Sequence, residues 1–489
     1  MRFTRSMLKK FFIAIAAVVL VAGGALWLAS LAFEWKFHPV PAAATVAPAR
    51  GRAEGMRQDL EHLAQFPKID NAFSPEARVR FEQERQILLA QAATLTPAML
   101  EMEVSRLLAL ADNGHTTVGR RLRRLHRVPI RVMWFAEGLY VVRTADAQAN
   151  LLGAQVVSIN GRTPQELLAD LSRYVGGPPE HAKSIVPMYL ESPTALSGAW
   201  PEMPADRVTY VVRNDEGETV TATLDALAPD PKSSYVDPTR NLAPQRLAKE
   251  TARWANLLSA TPDLPPALRD PDASLHVELL DEGKGLYIHM IQTVGDARGA
   301  LDAQLAAILA NIEPASLRYA VLDLRFNGGG DYTNTLKFTR ELPKRIAADG
   351  KLFILSDHAT FSAGIVTLAR AKYFGGARAT VLGDRVGDRE RFWAESAAPL
   401  ELPNSKILAF SATGYHDWNA GCGWKDLATC FWLNFLFDVP AGDLAPAQPM
   451  SWRFADYRAG VDTVMEDALR RARAVTSSPP APPSARAAP

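Results

Sequence analysis

Cysteine is nearly absent: the 489 residues hold two, Cys422 and Cys430, which excludes a disulfide-framework protein and a metal centre built on cysteines. An excess of either charge is absent too. With 54 Lys and Arg against 53 Asp and Glu, the formal net charge is +1, which leaves no electrostatic footprint for nucleic acid, and none is expected as a partner. The sequence has no Gly-Lys-Ser/Thr phosphate loop, no His-Glu-x-x-His element and no dinucleotide fingerprint, so neither a cofactor nor a metal is expected. Long apolar runs are lacking, with one exception at the N-terminus.

There, Arg2, Arg5, Lys9 and Lys10 precede an uncharged apolar stretch from Phe11 to Phe33, long enough as a helix to span a hydrocarbon core of about 30 Å. A cleaved signal peptide has an apolar region of only about 7 to 15 residues, so an uncleaved anchor fits better. Basic residues stay on the cytoplasmic side, which sends everything after Phe33 across the membrane. Either reading exports the protein into an oxidising compartment. A disulfide between Cys422 and Cys430 is then expected, the alternative being two buried thiols.

What is present is ordinary globular material, 48% hydrophobic and 22% charged, enough for two to four folded pieces at roughly 100 to 200 residues each. Pro39 to Pro48 reads as a linker. Helices follow: Met56, Leu60 and Leu63 share a face, Ser74-Pro75 and Thr96-Pro97 each open a helix with a cap and a first-turn proline, and the third ends at Asn113-Gly114 as a left-handed stop. His115 comes next. From Val128 the pattern changes to short strands at Ile130 to Trp134, Leu139 to Val142, Val156 to Ile159, Val208 to Val212 and Val220 to Leu224, with a capping box at Thr163 to Glu166 before a helix. A Pro-rich connector holds a weak helix around Leu247 to Leu258. From Leu286 strands and helices alternate, which argues α/β layering, and the tail from Thr476 to Pro489 is expected to be disordered.

Two loops in the alternating part sit where a strand gives way to a helix, the place where open sheets hold ligands. In Leu324 to Asp331 three successive glycines let backbone N–H groups turn inward, as an oxyanion hole requires; the same residues also suit a plain tight turn. In Ala359 to Gly364, Ser362 stands at a helix N-terminus, placed either as a nucleophile or as an ordinary cap.

Together, Asp323-Leu324-Arg325-Phe326-Asn327-Gly328-Gly329-Gly330 and Thr360-Phe361-Ser362-Ala363-Gly364 resemble the signature of the tail-specific, C-terminal-processing and tricorn-core serine peptidases. Asp112-Asn113-Gly114-His115-Thr116 resembles the family's histidine element, and the block with Leu152-Gly153 and Ile159-Asn160-Gly161 resembles its PDZ-like module. The resemblance implies an α/β fold with a crotonase-like core at 273–474, a PDZ-like module at 128–228 and a helical region at 53–127. These lie behind an anchor at 1–36 and a linker at 37–52, with a connector at 229–272 and a tail at 475–489. It implies Ser362 as nucleophile, His115 as general base, and the amides of Gly329 and Ala363 as oxyanion donors, with Gly328 as the alternative to Gly329.

The sequence departs from the family in an informative place. Where the processing peptidases carry the lysine of a Ser-Lys dyad, this chain reads Gly383 to Arg389 without lysine, and arginine keeps its proton at any working pH. The histidine-dependent branch remains. That branch has a serine before the histidine, where Gly114 stands here, and a downstream acid. Asp417 is nominated for that acid on its distance from Ser362, with Glu395 as rival. The resulting expectation is a bacterial inner-membrane peptidase with its globular part in the periplasm or outside the cell, acting on polypeptides docked by strand addition. The alternatives are a binding or scaffold protein that keeps the fold without turnover, and an esterase or amidase using the same serine.

Overall fold

The computed structural model describes residues 5–119, 124–229, 238–245, 254–259, 263–395 and 398–476; the expected disordered tail falls almost wholly outside them. The first element is one helix, Arg5–Phe37, whose segment Val18–Phe37 is long and apolar enough to cross a membrane, a test that a signal sequence also passes. Its far end is docked on the globular part. Phe37 is fully buried against Phe431, and its carbonyl accepts the Thr413 hydroxyl at 2.6 Å.

Ser74 and Thr96 cap the helices Pro75–Ala90 and Pro97–Ala109 as their sequences require, each side-chain oxygen accepting the amide three residues on. With Arg52–Leu63 these helices bury Leu60, Leu63, Phe81, Val104 and Leu107 against Leu400, Leu402 and Ala409 from far along the chain. The helix ends earlier than its sequence suggests: the left-handed residue is Asp112 (φ 49°), not Asn113 or Gly114. The short strand β1 (Thr117–Val118) follows directly.

The strand-rich block forms an antiparallel sheet of β2 (Ile130–Phe135), β3 (Gly138–Ala145), β4 (Gln155–Ile159), β5 (Arg207–Arg213) and β6 (Thr219–Asp225), in that order. β7 (Trp254–Asn256) pairs with β3. This corrects the helix expected at Leu247 to Leu258, where Trp254–Asn256 is a strand while 246–253 fall outside the described residues. The capping box at Thr163 opens Pro164–Leu171. Two further helices, Pro179–Leu190 and Pro193–Ala199, complete this block's core.

The alternating part is a second sheet, ordered β12 (Ala379–Gly383), β11 (Ile346–Ser356), β10 (Leu317–Asp323), β9 (Gly285–Met290) and β8 (Leu275–Leu280). Strands β9 to β12 run parallel, and β8 closes the edge antiparallel to β9. Strict alternation sends Ile288, Leu322 and Ile354 to one face, against Ile365 and Leu368 of the helix Ala363–Gly375. Tyr287, Val321 and Phe353 go to the other face, covered by Val464, Met465 and Ala468 of the helix Thr463–Thr476. Burial on both faces is why these strands read as apolar runs. Beyond β12, β13 (Arg391–Ala394) pairs with β16 (Gly414–Asp417), while β14 (Leu400–Glu401) and β15 (Leu408–Phe410) join β1. The β1–β15 pairing brings residues after His115 beside the α/β part, some three hundred positions away in sequence.

Candidate active site

β10 and β11 are neighbours, so their C-terminal loops emerge side by side. Hydrogen bonds stitch them together: Phe361 N–H donates to the Asn327 carbonyl (2.8 Å) and the Thr360 hydroxyl to the Leu324 carbonyl (2.8 Å), while Asn327 Nδ2 donates to the Met290 carbonyl at the end of β9 (2.7 Å). Asp357 Oδ1 takes the amides of Phe326, Ala359 and Thr360 at 3.0 Å each, joining both loops through one buried carboxylate. A polar residue after a strand end suits a turn, and Asp357 does more than that. Its neighbour His358 is half-buried, and desolvation pushes its imidazole below the ordinary histidine value despite the Asp357 charge.

Ser362 occupies the residue before the helix Ala363–Gly375 with φ 52° and ψ −124°, and its side chain makes no capping hydrogen bond. A non-glycine residue there is strained, and such strain concentrates at functional sites. A serine acting only as a cap has an extended backbone and uses its oxygen on the helix, as Ser74 does. Gly329 (φ 101°) lies against it. A Cβ on Gly329 would stand 2.6 Å from Ser362 Cβ and 3.1 Å from Oγ, so only glycine leaves room for the hydroxyl. The Ala363 amide is among the free donors of the helix's first turn. The Gly329 amide instead donates to Asn327 Oδ1 (2.9 Å), and Gly328 is exposed.

His115 reaches this elbow from the other end of the sequence. Its ring stacks on Phe361, the residue before Ser362, with centroids 4.4 Å apart, and on Phe392 at 5.2 Å. Phe361 is itself held on its other side by His181 at 4.7 Å. The histidine loop is pinned by Arg389, whose guanidinium donates to the Asp112 carboxylate and carbonyl (2.9–3.0 Å), and by Asn113 Oδ1, which accepts the Trp393 amide (3.1 Å). Gly114 is needed for space, since a Cβ there would meet the Phe361 ring at 2.7 Å. Gly114→Ala is therefore expected to displace the Phe361–His115 stack with the fold kept; a changed aromatic circular dichroism beside an unchanged far-ultraviolet spectrum checks it.

The acid facing His115 is Asp388, which neither residue type nor spacing picks out. Asp388 Oδ2 lies 3.6 Å from His115 Nδ1 and is almost wholly enclosed; neither that oxygen nor either His115 nitrogen has a hydrogen-bond partner. Ser362 and His115 are thus not hydrogen-bonded in this conformation. Asp417 lies elsewhere. Its Oδ1 accepts the amides of Asn419 and Ala420, and its Oδ2 pairs with Arg391 Nε at 3.1 Å, which makes it a turn residue at the end of β16. Glu395 faces another histidine, with Oε1 3.3 Å from His416 Nε2. Burial holds His416 below the ordinary histidine value, and the Glu395 carboxylate only partly opposes that. The imidazole of His416 stacks on Phe392 (5.1 Å), so one column of rings runs from His181 through Phe361, His115 and Phe392 to His416 and Phe431. Asp388 stands within Gly383 to Arg389, but nothing in sequence says that its carboxylate turns toward His115.

Cys422 and Cys430 are disulfide-bonded. Among the described residues, no group of three or more His, Cys, Asp and Glu side chains is placed to hold a metal ion.

No protein-family model and no curated protein matches the chain by sequence. By structure, mature CPAF complexed with lactacystin aligns over 87% of this chain and 98% of its own, with a TM-score of 0.54 and 12% identity. The chain shares the fold of CPAF. Mature CPAF alone gives 0.53 and 13% over 87% and 97% of the two chains, and tricorn protease gives 0.33 and 12% over 87% of this chain and 37% of its own. At such identity the likeness to CPAF is one of fold, and the chemistry rests on Ser362, His115 and their surroundings.

Proposed function

We propose that this chain is a membrane-anchored serine peptidase in which Ser362 attacks the peptide carbonyl, His115 takes its proton, and Asp388 orients the imidazole. The observation that carries the reading is the strained, uncapped Ser362 with Gly329 packed against its hydroxyl. Serine needs a base, and the imidazole stacked on the preceding residue is the one at hand. A shift of under 1 Å in the ring would bring Nδ1 into hydrogen-bond range of Asp388, leaving Nε2 free to accept from Ser362; such bonds often tighten only when substrate binds. As the tetrahedral intermediate forms, its oxyanion is met by the Ala363 amide. The second donor is Gly329 once its bond to Asn327 yields, with the exposed Gly328 as the alternative. The protonated His115 then returns the proton to the leaving amine, and water repeats the cycle on the acyl-enzyme.

The five-stranded sheet serves as a crotonase-like core and the antiparallel block as a PDZ-like module, whose edge would take an extended peptide. The helix Arg5–Phe37 is the anchor, with its basic start in the cytoplasm and the globular part in the periplasm or outside the cell. The Cys422–Cys430 disulfide suits that compartment. A fluorophosphonate probe is expected to label the purified chain, and Ser362→Ala to abolish labelling with no loss of fold. A folded wild type that stays unlabelled would favour the second reading, a scaffold without turnover, which the unpartnered His115 nitrogens support.

A further inference from the structure

The disulfide closes the first half of a segment, Gly421 to Phe437, whose surface is unusual for a water-exposed one. Trp424 is 85% exposed and Leu436 73%, with Leu427 and Leu433 also outward. Trp424 stacks on Phe435 at 5.9 Å, which joins the two halves of the segment at its exposed side. The inner side of the same loop receives the end of the apolar helix. Phe33 and Phe37 pack on Phe431 and Trp432 with centroids 5.1 to 6.1 Å apart, and Lys36 Nζ donates to the Ala428 carbonyl. Trp35, 84% exposed, lies at the same helix end. Loop and helix exit are therefore packed together, each with exposed apolar residues, and exposed tryptophan beside the end of a spanning helix is the composition of a bilayer interface.

We propose that the loop from Gly421 to Phe437 is a membrane seat: Trp424, Leu427 and Leu436 enter the headgroup region of the bilayer that the N-terminal helix spans, with Lys425 at the phosphates. The seat rests on the reading of that helix as an anchor. It fixes the attitude of the catalytic unit, because the column from Phe37 through Phe431, His416 and Phe392 to His115 has ring-to-ring steps of only 5.1 to 5.7 Å. The elbow is thus held near the bilayer instead of swinging on a linker.

The test uses the full chain in proteoliposomes. Both native cysteines are in the disulfide, so Leu436→Cys and, separately, Leu26→Cys each carry one environment-sensitive fluorophore through a maleimide. Lipids bearing a nitroxide near the headgroup are expected to remove most of the emission at 436, and lipids labelled at the chain end most of that at 26. Quenching at 26 with none at 436 overturns the seat and leaves the anchor standing. Quenching at neither overturns both. A blue-shifted emission at 436 without lipid quenching means that protein covers the loop, as a second copy would, and also overturns the seat.

Discussion

Asp388→Asn is expected to lower kcat/KM for peptide hydrolysis by about 10³- to 10⁴-fold, while Asp417→Asn leaves it within about twofold. The asymmetry follows from where the two carboxylates point. Asp388 Oδ2 faces His115 Nδ1, whereas both oxygens of Asp417 are used by its own turn and by Arg391. An amide at 388 presents an N–H to Nδ1 and so favours the tautomer with its proton on Nε2, the nitrogen that must accept from Ser362. Because Asp388 Oδ2 makes no hydrogen bond in the resting structure, the exchange removes none from the fold. The melting temperature should stay put, and fluorophosphonate labelling should slow in step with turnover. Equal effects at 388 and 417, or a large effect at 417 alone, would remove Asp388 from the mechanism.

The same geometry explains how His115 is held without hydrogen bonds. A buried polar group left unpaired costs about 1–3 kcal/mol, and two imidazole nitrogens and a carboxylate oxygen share that condition here. Stacking on Phe361 and Phe392 supplies the restraint, with rings near-parallel at 27° and 13°. The imidazole can therefore slide in the plane of its neighbours without leaving the site. That freedom is what a base needs if it is to meet Asp388 and Ser362 only when substrate is present.

Much of the fold was legible because it rests on period. Strands β9 to β12 and their helices stand out as apolar runs bounded by turns, and Ser74, Thr96 and Thr163 announce helix starts by chemistry local to a few residues. Pro179–Leu190 was hidden by its own prolines, since Pro178, Pro179 and Pro187 read as breakers although two open the helix and the third is tolerated inside it. The C-terminal helix Thr463–Thr476 was missed because half of its residues are polar, its apolar face being visible only against the sheet it covers. At the site, residue types were readable and directions were not. Gly114 looked like a left-handed stop, yet Asp112 takes that backbone and Gly114 is small to admit Phe361. Asp417 was chosen by distance along the chain, a quantity that the β13–β16 hairpin renders meaningless by turning its carboxylate toward Arg391.

Arg325→Leu is expected to be the most destabilising single change in the signature loop, by about 3–5 kcal/mol at neutral pH, lowering the unfolding midpoint by roughly 5–10 °C. Its guanidinium lies between two buried carboxylates, donating to Asp323 from Nε (2.9 Å) and to both oxygens of Asp462 (2.8 and 2.6 Å). Asp462 in turn caps the helix Thr463–Thr476 through the amides of Val464 and Met465, so the arginine ties the end of β10 to the helix that covers the sheet. Burial by itself would raise Asp323, but Arg325 outweighs it and holds the carboxyl below its ordinary value. In the wild type, Asp323 thus contributes stability above the usual carboxylate range that is lost as pH falls through its depressed folded value. Without the guanidinium, burial and the facing carboxylate dominate and the sign reverses. The Asp323 folded-state value then lies above the unfolded one, so the variant recovers stability relative to the wild type as acid protonates Asp323. Thermal unfolding at pH 7.5 and pH 5 should show the deficit of Arg325→Leu narrowing on acidification. A deficit that is constant or widens would mean that lost packing over Trp452, rather than stranded charge, sets the cost.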